Sequence, residues 1–482
     1  MPTRRELIAA LTEIVGERNV LWRPEDLIVY EFDGTVETQR PHAVVFPESA
    51  AETARIVRLC NGWRLPMTPR GAGTGLSGGS VPHRRGVVIA TARMRRILEI
   101  DAANRIAVVE PGVPNIQLSE AVAHLGLFYA PDPSSQKACT LGGNVAENAG
   151  GPHCLALGVT TNHVLGLEVV TAAGDITWLG GRVPDAFGYD LRGAFIGSEG
   201  TLGVATKIVV RLTPLPETVA TLLAIFDSVE QASLAVSSII SAGMVPAAME
   251  MMDRLTLQAA EAGLQCGYPP DAGAVLLVEL DGIDEEVQGH VARARAECLE
   301  HGATEVRLAL DAAERELLWK GRKGAIGSLG RIMPNYYILD GVVPRSKLVQ
   351  VMREVNEISE RYALPVANVF HAGDGNLHPL LLFDDRVPGA HATVLKAGAE
   401  MMRACVDAGG ALSGEHGIGF EKQQFMPWLY SPVDLENMAR VRPVFGNNGD
   451  FNPCKLLPAG TGCGEMLNHS AAVRAAGPDA YV

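Results

Sequence analysis

The stretch RGAGTGLSGG, residues 70–79, decides how the first domain is interpreted. Its glycines Gly73, Gly75 and Gly78 match the G-x-G-x-x-G pattern of dinucleotide-binding βαβ units. In such a unit a helix follows the glycines directly, and its N-terminal N–H groups hold the pyrophosphate. Here the next residues are SVPHRRGVVIAT, where a proline, a glycine and a β-like run exclude that helix. No Lys-Ser or Lys-Thr pair follows, which also excludes a Walker A loop.

The stretch therefore predicts a helix-free loop whose backbone N–H groups approach an anion. Taken alone, it is also compatible with an ordinary surface turn. Two later stretches have a similar composition, CTLGGNVAENAGG at residues 139–151 and GSEGTLG at residues 197–203. Three such loops in one domain favour one extended, phosphate-bearing ligand that crosses all of them.

The composition restricts the class of protein. The 482 residues allow for roughly two to four domains. The net charge of −14 argues against a nucleic-acid partner. The eight cysteines form no C-x-x-C pair, so we expect reduced thiols and neither a zinc ribbon nor an iron–sulfur cluster. The N-terminus has the spacing of an amphipathic helix and no apolar run is long enough to span a membrane, so a cytoplasmic protein is expected.

The order of predicted elements divides the chain into four segments. Residues 1–40 are a helical segment, and residues 41–216 alternate short β-like runs with helices. Residues 217–440 begin with two strand–helix units, which predict a ferredoxin-like α+β substrate domain. Residues 441–482 form a C-terminal segment that returns to the first domain and ends in a loosely held tail.

Several motifs, in order along the chain, resemble those of a known family. RGAGTGLSGG, PDPSS, TLGGNVAENAGG and GSEGTLG resemble the FAD-binding domain of flavoproteins of the vanillyl-alcohol-oxidase type. FHAGDGNLHP, SGEHGIG and FNPCKLLP narrow the resemblance to the branch with the glycolate oxidase D subunit, D-lactate dehydrogenases and D-2-hydroxyglutarate dehydrogenase. The resemblance implies an α+β protein with a two-part FAD-binding domain, a ferredoxin-like substrate domain and a C-terminal helical segment.

The same resemblance implies a set of FAD contacts, with the pyrophosphate on residues 70–79. Some relatives attach the flavin through a histidine in this loop. Because the loop here contains none, non-covalent FAD is expected. The implied contacts are Arg70, Gly71, Ala72, Gly73, Thr74, Gly75, Leu76, Ser77, Gly78, Gly79, Ser135, Thr140, Gly142, Gly143, Asn144, Gly150, Glu199, Gly200 and Val204.

The stretch PVANVFHAGDGNLHPLLLF, residues 365–383, predicts a β-hairpin that carries two histidines. With Asp374-Gly375 as a two-residue turn, His371 is expected directly opposite His378. Opposed side chains lie on one face with Cβ atoms about 4.5–5.5 Å apart, which suits two imidazoles on one metal ion. Two unrelated polar histidines at a strand end are the alternative.

The stretch SGEHGIG, residues 413–419, offers Glu415 as a third, oxygen ligand. Two histidines and a carboxylate with an open position are compatible with Zn²⁺, Mn²⁺ or Fe²⁺. On its own the stretch is equally compatible with a glycine-flanked surface loop. The resemblance implies that His371, His378 and Glu415 hold a divalent metal, expected to be Zn²⁺, and that His416 is the catalytic base.

A predicted helix around residue 320 carries Lys320, Arg322 and Lys323. Such a cluster is commonly a solvated helix face, but an arginine can also bind a carboxylate bidentately. The resemblance implies that Arg322 binds the substrate carboxylate. The 2-hydroxyglutarate enzymes have polar residues nearby, where this chain has Ile326 and Ile338. A short monocarboxylate is therefore preferred, although a longer apolar chain would also fit.

The expected function is FAD-dependent oxidation of a lactate- or glycolate-like D-2-hydroxy acid, with hydride transfer to FAD. The alternatives are a non-redox flavoprotein like alkylglycerone-phosphate synthase, and the flavin subunit of a larger glycolate oxidase complex with an iron–sulfur partner. A homodimer is also compatible with the sequence. One departure from the family is Cys454, where relatives have glycine in an N-P-G-K segment. If φ is positive there, the backbone at Cys454 is strained.

Overall fold

The computed structural model describes residues 2–184 and 188–458, which form two compact units. The first unit contains residues 2–150, 158–184, 188–215 and 415–458, and the second contains residues 151–157 and 216–414. The chain thus re-enters the first unit at Glu415, before the residue 441 at which the sequence analysis placed that return. The predicted loosely held tail, which is the last twenty residues of the chain, lies outside the described residues. Within residues 2–184 and 188–458, no helix is long and apolar enough to cross a bilayer.

The first unit begins with a small sheet that has the strand order β1-β2-β4-β3, in which β4 runs parallel to β2 and β3. Its longest helix begins after Ser49, whose side chain caps the helix by accepting a hydrogen bond from the Glu52 amide. The loop that follows β3 reaches β4 without forming a helix in residues 71–86. The elements are α1 (Arg4–Val15), β1 (Val20–Leu21), α2 (Pro24–Leu27), β2 (Ala43–Val45), α3 (Ala50–Trp63), β3 (Met67–Arg70) and β4 (Val87–Ala90).

A second, antiparallel sheet of the first unit has the strand order β5-β6-β10-β8-β9. The next elements of the chain are β5 (Ile97–Asp101), β6 (Ile106–Val109), α4 (Asn115–Val122), β7 (Leu127–Phe128), α5 (Leu141–Glu147), α6 (Cys154–Leu157), α7 (Thr160–His163), β8 (Val164–Thr171), β9 (Ile176–Gly180), α8 (Leu191–Phe195), β10 (Gly203–Arg211) and β11 (Thr213–Pro214). Helices α4 and α5 bury Leu118 and Leu141 against this sheet in one hydrophobic core. Of these elements, α6 belongs to the second unit.

The second unit is built on a sheet with the order β15-β12-β14-β13-β18-β19-β17, to which β20 and β16 are added through β18. Its elements are β12 (Thr218–Phe226), α9 (Val229–Ser241), β13 (Ala248–Asp253), α10 (Arg254–Leu264), β14 (Ala274–Gly282), α11 (Asp284–Glu300), β15 (Ala303–Leu308), α12 (Ala312–Ser328), β16 (Asn335–Ile338), β17 (Gly341–Val342), α13 (Leu348–Tyr362), β18 (Val366–His371), β19 (Asn376–Leu377), β20 (Pro379–Phe383) and α14 (Ala390–Asp407).

The first four strands of that sheet confirm the predicted ferredoxin-like arrangement. Strand β12 lies between β15 and β14, and β13 pairs with β14, all of them antiparallel. Helices α10 and α12 pack on the face that carries Met252, Leu277 and Val369, and Trp319 of α12 is part of this core. The sheet therefore presents one face to α12, and Glu250 of β13 and His371 of β18 lie on that face.

The last parts of the first unit that the structure describes are α15 (Pro432–Val444) and the segment FNPCKLLP. Six cysteines are free thiols, and they are Cys60, Cys139, Cys154, Cys266, Cys298 and Cys405. Cys454 is bonded in a disulfide, which corrects the expectation that all thiols are reduced. Its backbone has a φ of +59°, so the positive φ considered from the sequence is present.

Candidate active site

The loop of residues 71–79 in the first unit packs tightly because it lacks side chains at several points. A Cβ atom at Gly71 would lie 2.5 Å from Thr140 Oγ1, and one at Gly79 would lie 2.6 Å from Glu147 Oε1. Both distances are too short for real Cβ contacts, so a side chain at either position would require the side chain of Thr140 or Glu147 to move. Thr140 caps α5 by accepting a hydrogen bond from the Gly143 amide, so part of the second glycine-rich stretch is helical and not a loop.

The structure brings the three glycine-rich stretches together. The amides of Gly197 and Glu199 in the third stretch donate to the carbonyls of Val145 and Ala146 in the second, at 2.9 and 2.8 Å. Asn452 joins the third stretch to the first, since its side-chain nitrogen donates to the carbonyls of Glu199 and Gly79. The three stretches therefore adjoin one another within the first unit.

The predicted FAD contacts all lie on or next to these stretches. Residues 70–79 begin at the last residue of β3, and Gly150 lies shortly after α5. Ser135 lies beside the first stretch, with its Oγ 3.5 Å from Thr74 Oγ1. Two buried hydroxyls, Ser77 Oγ and Ser198 Oγ, have no hydrogen-bond partner among the described residues. Buried polar atoms are normally paired, so these two fit a polar ligand at this place. The remaining predicted contacts are Thr140, Gly142, Gly143 and Asn144 at the start of α5, Glu199 and Gly200 before β10, and Val204 within β10.

Buried charges surround the same stretches. Burial and the nearby Glu199 carboxylate raise the pKa of Glu147 well above its usual range. Burial also raises the pKa of Glu199, against the effect of two backbone amides, Ile418 N at 2.6 Å and Gly419 N at 2.7 Å, that donate to its carboxylate. Lys455 donates to the Val81 carbonyl at 2.7 Å, and burial lowers its pKa to about 8. Glu199 thus fixes the chain just after His416, a role that the sequence analysis did not predict.

The two histidines of the second unit lie together, but not in the predicted register. His371 pairs with Asn376 and not with His378, because the turn spans four residues instead of two. Strands β18 and β20 continue in the same register, with Asn368 opposite Pro379. His371 and His378 remain neighbours along a diagonal, with ring centroids 5.2 Å apart and nearly perpendicular planes.

Both imidazoles are anchored through Nδ1 to groups that only accept hydrogen bonds. His371 Nδ1 lies 2.7 Å from Glu250 Oε1, and His378 Nδ1 lies 3.1 Å from the Leu339 carbonyl oxygen. Nδ1 is therefore the protonated nitrogen in the neutral ring, and Nε2 carries the lone pair. This is the tautomer of a histidine that binds a metal through Nε2.

Arg322 is buried on α12, with 3% of its surface exposed. Its Nη2 lies 2.5 Å from Glu250 Oε2, and its Nε has no hydrogen-bond partner among the described residues. The neighbouring Lys323 is different, since its ammonium group lies 5.8 Å from the centre of the Trp319 ring. Within the predicted cationic cluster, Arg322 is the residue whose side chain lies next to Glu250, the carboxylate that also contacts His371.

The stretch SGEHGIG crosses the boundary between the two units. In the second unit, Asp340 Oδ2 accepts hydrogen bonds from Ser413 Oγ at 2.6 Å and from the Gly414 amide at 3.1 Å, while Oδ1 lies 3.9 Å from His378 Nδ1. Glu415 and His416 follow directly in the chain and are assigned to the first unit. The stretch is thus fixed at its start by Asp340 and at its end by Glu199.

Two carboxylates of the second unit, Glu250 and Asp340, were missed by the sequence analysis. Both are fully buried, with 0% of their surface exposed. Glu250 lies in the strand sequence AMEMMD between two buried methionines, and a charged residue at such a position must find a partner. That signal could have identified Glu250 as a functional candidate, although not its partners.

Two family models match the chain. The FAD binding domain matches residues 41–180, and the C-terminal domain of FAD linked oxidases matches residues 215–456. The chain is 46% identical over 464 residues to glycolate oxidase subunit GlcD of Escherichia coli strain K12, which covers 96% of this chain and 93% of that protein. It is 34% identical over 429 residues to a D-lactate dehydrogenase of Anaerostipes hadrus, which covers 86% of this chain and 90% of that protein.

Solved structures with low sequence identity have the same fold. p-Cresol methylhydroxylase with bound substrate superposes with a TM-score of 0.81 at 18% identity, covering 94% of this chain and 96% of that one. An alkyldihydroxyacetonephosphate synthase superposes with a TM-score of 0.73 at 16% identity, covering 94% of this chain and 85% of that one. At these identities the similarity establishes the architecture alone.

Proposed function

The chain belongs to the family of FAD-linked oxidases, and on that premise we propose that it oxidises a small D-2-hydroxy acid to the 2-keto acid. One observation in the second unit carries the proposal: Arg322 and His371 share the carboxylate of Glu250. In a 2-hydroxy acid the carboxylate and the hydroxyl lie on adjacent carbons. An arginine that binds the carboxylate and a histidine whose metal ion binds the hydroxyl must therefore lie close together, as Arg322 and His371 do.

FAD fits the first unit, where closely packed glycines and unpaired buried hydroxyls line three adjoining stretches. Because residues 70–79 contain no histidine, the proposed attachment is non-covalent. When bound, FAD supplies the acceptor for the hydride from C2 of the substrate. The protein contributes the geometry of substrate against cofactor.

His371, His378 and Glu415 would hold a divalent metal ion in this proposal, and the nitrogen and oxygen donors suit Zn²⁺. Mn²⁺ and Fe²⁺ are compatible with the same donors. The anchoring of both histidines through Nδ1 supports the assignment. Glu415 is the next residue after Gly414, whose amide is held by Asp340 beside His378. A bound ion would lower the pKa of the substrate hydroxyl.

Two side chains of this chain act directly on the substrate in the proposed mechanism. Arg322 binds the carboxylate, since a guanidinium offers paired donors to two oxygens. His416 accepts the hydroxyl proton as general base while the C2 hydride leaves. Both assignments follow the family motif, and Glu199 and Asp340 hold the stretch that carries His416.

The proposed substrate is a short monocarboxylate similar to lactate or glycolate. Ile326 and Ile338 pack against the apolar core of the second unit and offer no partner to a second carboxylate. The two named relatives are a glycolate oxidase subunit and a D-lactate dehydrogenase, which agrees with this size.

The deciding experiment mixes the purified FAD-loaded protein anaerobically with glycolate, D-lactate, L-lactate and D-2-hydroxyglutarate and follows bleaching of the visible flavin absorption. We expect bleaching by glycolate or D-lactate and little by L-lactate or D-2-hydroxyglutarate. No bleaching by any hydroxy acid would overturn the proposal and favour the non-redox alternative.

The subunit name of the Escherichia coli relative supports a further part of the proposal, a partner protein. We propose that this partner is an iron–sulfur protein that accepts the electrons. This chain has no C-x-x-C pair with which to bind a cluster of its own. A homodimer is the proposed state of the isolated chain. Reoxidation of the reduced flavin only by an added one-electron acceptor, and not by oxygen, is the expected result for such a subunit.

A further inference from the structure

Glu250 occupies a central position on the sheet face that α12 covers. It lies on β13 directly opposite His371 of β18, so both side chains leave the sheet on the same face. With none of its surface exposed, its charge has to be compensated inside the protein. The fold meets that requirement with two different partners, one on each carboxylate oxygen.

The two contacts are short and separate. Oε1 lies 2.7 Å from His371 Nδ1, and Oε2 lies 2.5 Å from Arg322 Nη2. The first contact fixes the imidazole ring and its tautomer. The second holds the buried guanidinium on one side, while Arg322 Nε keeps a donor without a partner among the described residues.

We propose that Glu250 is a positioning residue that sets both the metal-binding tautomer of His371 and the orientation of Arg322. The inference rests on the proposed function, in which His371 binds the metal and Arg322 binds the substrate carboxylate. Because the Glu250 carboxylate contacts both side chains, the distance between the metal site and the site for the substrate carboxylate is fixed before the substrate binds. Glu250 itself touches neither substrate nor metal.

A second buried carboxylate on the same face provides the matched control. Glu279 of β14 is 2% exposed and binds the Arg315 guanidinium, as Glu250 binds that of Arg322. Its other partners are Thr221, Trp319 and His153, none of which belongs to the proposed metal pair. Loss of a buried ion pair is thus common to variants at both positions, whereas loss of the contact to His371 is confined to variants at Glu250.

The test measures the dissociation constant of Zn²⁺ on the FAD-loaded, metal-free protein by competition with a chromophoric chelator, without substrate. We expect E250Q to weaken Zn²⁺ binding about 10–100-fold, the usual loss when a carboxylate partner of a ligating histidine is removed. E279Q should leave Zn²⁺ binding unchanged. Equal Zn²⁺ affinity of E250Q and wild type would overturn the inference.

A second variant keeps the test decisive if E250Q does not fold. E250D retains the charge that Arg322 requires, but it is one methylene shorter and cannot maintain both contacts. We expect it to fold, to bind Zn²⁺ more weakly, and to have a raised KM for the hydroxy acid at saturating Zn²⁺. Wild-type Zn²⁺ affinity and KM in E250D would likewise overturn the inference.

The two proposals fail in different ways. If wild-type protein binds no Zn²⁺, Mn²⁺ or Fe²⁺, the metal site of the proposed function is wrong. If wild-type protein binds metal and bleaches with a hydroxy acid while both Glu250 variants do the same with unchanged constants, only the role of Glu250 is wrong.

Discussion

Replacing Cys454 by glycine is expected to give a more stable protein than replacing it by alanine, although glycine is smaller. Cys454 has a φ of +59°, and its neighbours Asn452 and Leu456 have φ values of +41° and +68°. An L-residue in this left-handed region brings its Cβ atom close to the following carbonyl oxygen, whereas glycine has no Cβ atom. Both variants lack the sulfur atom, so the loss of the disulfide is the same in each and cancels in the comparison.

The magnitude follows from the backbone angle. The left-handed conformation disfavours an L-residue by about 1–2 kcal/mol. Part of this is offset because glycine gains more conformational entropy than alanine in the unfolded chain, about 0.4–1 kcal/mol. The net advantage of C454G over C454A is then about 1 kcal/mol. In a unit of this size, 1 kcal/mol corresponds to a shift in Tm of roughly 2–4 °C.

The assay is thermal unfolding of both FAD-loaded variants under reducing conditions, followed by the fluorescence of released flavin. C454G is expected to release its flavin at the higher temperature. The segment also contains Lys455, buried and bound to the Val81 carbonyl, and Asn452, which bridges two glycine-rich stretches. A C454A protein that is as stable as C454G would refute the reasoning, because it would mean that the backbone relaxes out of the left-handed region.

Three further predictions concern the proposed active site and its surroundings. H416A should keep its bound FAD and its visible absorption but lose nearly all flavin reduction by the hydroxy acid; normal anaerobic reduction would remove its role as base. In D340N, the hydrogen bonds that residue 340 accepts from Ser413 and Gly414 no longer have a charged acceptor, and we expect flavin reduction to be about tenfold slower. An unchanged rate would show that these two hydrogen bonds are not needed to hold the stretch that carries His416. Burial raises the pKa of Glu279, but hydrogen bonds from His153 and Arg315 outweigh burial and lower it to about 2 from 4.5. Its stabilising effect is therefore present above pH 4.5 and disappears as the pH falls towards 2, so the unfolding midpoint of wild type should approach that of E279Q over this range.

The parts of the fold that depend on local sequence were predicted well. The proline and glycine after residues 70–79 excluded a helix there, and the structure has none in residues 71–86. The alternation of strands and helices after residue 217 indicated the ferredoxin-like unit, whose strand order the structure confirms. In both cases the signal is contained within one short stretch or one repeated pattern, so no distant contact is needed to interpret it.

The hairpin that carries the histidines was predicted in the wrong register because distant contacts decide it. Asp374-Gly375 favours a two-residue turn locally. In the structure, the Val343 amide donates to the Gly375 carbonyl at 3.0 Å, and the Gly373 amide donates to the Met249 carbonyl at 3.3 Å. These contacts hold a four-residue turn and shift the pairing by two residues. A shift by two keeps each side chain on its face, which is why the prediction that the histidines are neighbours survives the error.

The role inferred for Glu250 lay beyond reach of the sequence for the same physical reason. Its two partners are 72 and 121 residues away, and they meet it only because β13 pairs with β18 while α12 covers that face of the sheet. A glutamate between buried apolar residues of a strand signals that a partner exists, but the identity of the partner depends on strand order and register. Because sheet register is set by tertiary contacts, the residues that position a site are harder to predict than the residues that bind its ligands.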